Sequence, residues 1–119
     1  MITVGLGARP GATSPEVMAA VDAALAALPP DDAGQPIRLA TLDVRASEPE
    51  VRAAAASRGW LLAGHPAEAL AGVPVPHPST RVAGAVGTPS VAEAAALLHG
   101  GTLVVAKRVV GRVTVAVAR

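Results

Sequence analysis

Apolar and polar positions along the chain alternate between short strand patterns and helical ones. Residues 2–6, ITVGL, predict a buried strand, followed by the loop GARPGAT. Ser14 is placed to cap a helix, with Pro15 at its first position and Glu16 favourable to the helix dipole. Val17, Val21, Leu25 and Leu28 recur at helical spacing, and Pro29-Pro30 stops the helix. IRLATL predicts a second strand over 37–42. Ser47 and Glu50 have the spacing of a capping box, with Pro49 in the first turn of a helix over about 48–58 that ends at Gly59. WLLAG, residues 60–64, reads as a short third strand, and HPAEALAG as a short helix or turn.

Proline at every second position makes VPVPHP, residues 73–78, extended. A short helix is expected over 79–86. Ser90 and Glu93 then form a second capping-box pattern, before a helix that ends at Gly100-Gly101. Two β-rich segments around Gly111 predict a closing hairpin. The order implies an α/β fold: a three-layer α/β/α single domain over 1–119, with a mixed sheet and a C-terminal β-hairpin.

Composition narrows the chemistry. With 119 residues and 51% hydrophobic content the chain suits one domain with a real core. Trp60 is the one aromatic residue, so that core depends on close packing of small aliphatic side chains. A net charge of +1 and the lack of aromatic stacking platforms argue against nucleic-acid binding. No apolar run is long enough to span a membrane, and no signal-peptide pattern precedes the first strand, so a cytosolic location is expected. The absence of cysteine removes disulfides, thiolate metal sites and thiol nucleophiles.

The opening loop does not fit a nucleotide. Gly5 and Gly7 match the start of a dinucleotide fingerprint, but Pro10 stands at the third glycine position. Gly11-Ala12-Thr13 lacks the lysine of a phosphate-binding loop. What remains is a glycine turn at the carboxyl end of a strand, where open α/β sheets place ligands, with Arg9 at its edge, or a plain connection with Arg9 solvated. Thr41, Arg45, Glu48, Ser79, Glu93 and Lys107 are the other polar residues at element ends. His65, His77 and His99 lie far apart without metal-ligand spacing, so no metal site and no cofactor is expected.

Taken in order, VGLGARPG (4–11), LATLDVRASEP (39–49), PSTRVAGAVGTPSVAEAAAL (78–97), LVVAK (103–107) and VTVAVA (113–118) resemble the CobE proteins and the C-terminal domain of CbiG, from cobalamin biosynthesis. The resemblance assigns substrate binding to Gly5, Gly7, Arg9, Gly11, Thr41, Arg45, Glu48, Ser79 and Ser90. It puts Glu93 and Lys107 in line for catalytic roles. Ala8 stands where the family often has cysteine, and Arg45 where it often has lysine.

The resemblance implies a tetrapyrrole ligand, a corrin or precorrin intermediate rich in acetate and propionate groups. Arginines at strand ends suit such carboxylates. Three readings stay open. The first is an accessory protein that binds the intermediate. The second is a cobalt-precorrin-5A hydrolase that opens the ring lactone and releases acetaldehyde, with Glu93 as general base. The third is an interaction subunit for another enzyme of the cobalamin pathway.

Overall fold

The computed structural model describes residues 1–32, 34–76 and 91–119. The expected helix over 79–86, His77, Ser79 and Ser90 lie outside the described residues. Strands β1 (Ile2–Ala8), β2 (Ile37–Leu42), β3 (Leu61–His65), β4 (Leu103–Val110) and β5 (Val113–Ala118) form one five-stranded sheet in the order β3-β2-β1-β5-β4. β1, β2 and β3 are parallel, and β5 runs antiparallel to both β1 and β4. The sheet is therefore mixed, and the closing hairpin turns at Gly111 as expected.

Helices α1 (Ser14–Ala26) and α3 (Pro49–Arg58) cover one face. There Ile2, Val4 and Leu6 of β1 pack with Leu39 of β2, with Val113, Val115 and Val117 of β5, and with Val17, Val21 and Val51 of the helices. The short helices α4 (Ala67–Ala71) and α5 (Val91–Leu97) cover the other face. There the sheet offers small groups: Gly5 and Gly7 on β1, Ala40 on β2, and Ala116 and Ala118 on β5. Side chains alternate across a strand, so β1 and β5 are each large on one face and small on the other.

That asymmetry sets how closely α5 sits. Ala92, Ala94, Ala95 and Ala96 are all buried. A Cβ added to Gly5 would run into the Ala92 carbonyl oxygen and lie 2.6 Å from the Ala96 nitrogen. The helix backbone therefore rests directly on the strand backbone, which only glycine at this position permits.

Several boundaries differ from the sequence expectation. Thr13, not Ser14, is the N-cap of α1: its backbone is extended, and Ser14 is already helical. The Glu16 N–H donates to Thr13 Oγ1 at 3.3 Å, and the Thr13 N–H donates to Glu16 Oε1 at 3.0 Å, which forms a capping box. Regular helix stops at Ala26 rather than Leu28. The expected Ser47–Glu50 box does not form. An extra turn, α2 (Asp43–Ala46), follows β2 directly and takes Ser47 as its C-cap, with Ser47 Oγ donating to the Asp43 carbonyl at 3.0 Å. Glu50 instead accepts from the Ser14 N–H at 3.2 Å, joining the starts of α1 and α3.

Candidate functional site

The carboxyl ends of β1, β2 and β3 lie along one edge of the sheet. β1 delivers the loop with Arg9 and Gly11, β2 delivers Thr41 and then Arg45 and Glu48 on and after α2, and β3 delivers His65. Gly7 pairs with Thr114 of β5, and the start of α5 comes down beside it: a Cβ on Gly7 would lie 3.6 Å from Val91 Cβ. Gly11 has φ +86°, which makes glycine the suitable residue for the turn that lifts the chain from β1 to α1. The Arg9 N–H donates to the Arg112 carbonyl at 3.1 Å, tying this loop to the hairpin.

The residues expected to bind a ligand divide into structural and available groups. Gly5 is covered by α5. Thr41 is fully buried, and its hydroxyl donates to the Leu6 carbonyl at 2.6 Å, clamping β2 to β1. Arg45 and Glu48, both largely covered, form an ion pair with each other. Arg9 is exposed, and its guanidinium makes no hydrogen bond or ion pair with a described residue.

Glu93 and Lys107 do come together, though not as a side-chain pair. Glu93 is fully buried in α5, and its Oε2 accepts from the Lys107 backbone N–H at 3.0 Å. The reason lies in β4. Its register against β5 slips between Val105 and Arg108, which leaves Lys107 without a cross-strand partner. A buried N–H outside the ladder needs an acceptor, and the Glu93 carboxylate supplies it. The half-buried Lys107 side chain makes no ion pair with a described residue.

Electrostatics at the loop are dominated by Glu16. Its carboxyl is lowered from 4.5 to about 2, chiefly by hydrogen bonds from the Arg112 guanidinium, then from the Thr13 N–H. Arg112 donates through Nη2 and Nε at 2.6 and 3.0 Å, so it is spoken for, unlike its neighbour Arg9.

The structure also joins two histidines that the sequence left apart. His65 Nε2 lies 3.1 Å from His99 Nε2, and His99 Nδ1 lies 3.0 Å from Arg38 Nη1. Burial and then the Arg38 charge push both imidazoles below their usual pKa, and His65 further lowers His99. No local spacing could have revealed this cluster, because Arg38, His65 and His99 come from three separate segments. Among the described residues no group of three or more His, Cys, Asp or Glu could hold a metal ion, and no helix is long and apolar enough to cross a membrane.

The family model of the cobalamin synthesis G C-terminus matches residues 2–118. The chain belongs to this family. Two solved structures support the assignment. One is CobE, a protein from the cobalamin (vitamin B12) biosynthetic pathway, with a TM-score of 0.81 and 25% identity over 100% of this chain and 93% of that one. The other is the cobalamin biosynthesis protein chiG from Agrobacterium tumefaciens, with a TM-score of 0.70 and 34% identity over 99% of this chain and 97% of that one. No curated protein sequence matches. Within the cobalamin synthesis G C-terminal fold, the expected α/β architecture with a mixed sheet holds throughout. The glycine loop leaves β1 where β5 begins, beside the start of α5, and Glu93 of α5 accepts from the backbone at the β4 slip.

Proposed function

We propose that this member of the cobalamin synthesis G C-terminal family binds a corrin-ring precursor at the carboxyl end of its sheet. Arg9 and Lys107 are the cationic contacts for the ligand's peripheral carboxylates. The observation that carries the reading is that these two cations lack an anionic partner among the described residues, whereas Arg45 and Arg112 are neutralised by Glu48 and Glu16. A guanidinium at a strand-end loop and an ammonium at a strand's register slip, both left in this state, suit acetate and propionate oxygens.

Binding is favoured over hydrolysis by the burial of Glu93. A general base must reach the proton that it removes, and this carboxylate is fully covered and already accepts from the Lys107 N–H. Other enzymes of the pathway are the partners to which such a protein would deliver its ligand.

Replacing Arg9 with Ala tests the contact. Loss of one charge-assisted carboxylate pair should weaken binding of cobalt-precorrin-5A about tenfold or more, measured by fluorescence or absorbance titration. Unchanged affinity removes Arg9 from the site.

A further inference from the structure

The cluster of Arg38, His65 and His99 admits one arrangement of hydrogens. A guanidinium only donates, so His99 Nδ1, 3.0 Å from Arg38 Nη1, must accept. A neutral His99 then carries its proton on Nε2 and donates it to His65 Nε2 at 3.1 Å. His65 in turn carries its proton on Nδ1. The chain of donors runs from β2 through the segment after α5 to the end of β3.

This arrangement speaks against a metal ion. A cation shared by the two Nε2 atoms would require both to be bare, which forces the His99 proton onto Nδ1. There it would meet the Arg38 N–H, donor against donor, beside a permanent positive charge.

An anion meets the opposite situation. Among the described residues Arg38 has no carboxylate partner, and its buried Nε has no acceptor. No described Asp or Glu is hydrogen bonded or ion paired to either imidazole, including Glu68 on α4, close in sequence to His65. Three groups able to carry positive charge thus converge without a counter-ion among the described residues. A proton from solvent can enter only by breaking one link of the chain, because each inner nitrogen already faces an N–H. A bound oxyanion would accept from the N–H groups so released and balance the added charge.

We propose that Arg38, His65 and His99 form a binding site for a carboxylate, and that the site takes up a proton as it fills. The carboxylate is either a small free acid or a peripheral group of a larger ligand.

The test uses ¹⁵N-labelled protein and long-range imidazole spectra, with oxalate as the free acid and uroporphyrin as the larger carrier. Both stay ionised at the carboxylates across the pH range used. Without ligand, His99 should show the Nε2–H form and His65 the Nδ1–H form. Oxalate or uroporphyrin should convert at least one ring to imidazolium, with affinity falling up to about tenfold per pH unit above the free-state titration. Arg38→Gln should weaken the response at least tenfold. His99→Gln, a second variant should the first not fold, breaks the donor chain and should also weaken the response to either probe at least tenfold.

Response to oxalate identifies a free acid as sufficient, and response to uroporphyrin alone identifies a carried carboxylate. The inference is overturned if neither probe moves the two rings, if the Arg38→Gln protein responds as strongly, or if the ligand-free tautomers are reversed. Oxalate contains no macrocycle, so its result is independent of the corrin reading.

Discussion

Gly5 does the work of a spacer, and its substitution separates packing from ligand binding. A methyl group there collides with helix backbone rather than with a movable side chain. Gly5→Ala should cost about 3 kcal/mol or more in urea unfolding. Gly72→Ala, where an added Cβ meets nothing closer than 3.8 Å, should stay within about 0.5 kcal/mol. Glu16 supplies a second prediction at this scale. Its carboxyl falls to about 2 in the folded chain against an ordinary 4.5, so folding favours the ionised form. The resulting stability is complete above pH 4.5 and is lost as pH falls through about 2. A Tm–pH profile should therefore drop across that window in the native chain. In Glu16→Gln it should be flatter there and lower at neutral pH; parallel profiles would contradict the coupling.

Helix α5 and strand β4 depend on each other through Glu93. The register slip of β4 strands the Lys107 N–H, and the buried carboxylate of α5 takes it up. Glu93→Ala should destabilise the domain by about 2 kcal/mol or more, since it leaves the part-buried Lys107 N–H without its acceptor and empties a fully buried position. Glu93→Gln keeps an amide oxygen and should cost less. Hydrogen exchange at the Lys107 amide is the specific readout: it should accelerate in both variants relative to the rest of β4, and more in the alanine. Local sequence rules read these elements unevenly. The strands and the hairpin were legible from apolar runs and Gly111, and the end of α3 from Gly59. The capping box expected at Ser47–Glu50 does not form, because α2 claims Ser47 and the start of α1 claims Glu50. The cap of α1 lies one residue earlier than expected because Thr13, rather than Ser14, has the extended backbone of a cap.

On the scale of the whole molecule, the size asymmetry of the central strands places the close-packed helix on one face and the bulky core on the other. The segments for both faces could be read along the chain, and so could the strand-end loop that carries Arg9. Which expected site residues are available could not. Thr41 is consumed by a β1 carbonyl, Arg45 by Glu48, and Glu93 by a backbone amide, and each partner is set by tertiary register. The Arg38–His99–His65 chain was hidden for the same reason. The central claim is that the domain binds a corrin precursor rather than converting it. The most direct measurement is the absorption spectrum of cobalt-precorrin-5A, followed over time with the protein first in trace amount and then in excess. We expect an immediate spectral shift that saturates at stoichiometric protein, with no acetaldehyde released. Progressive change at trace protein with acetaldehyde appearing, or no shift at any ratio, would contradict it.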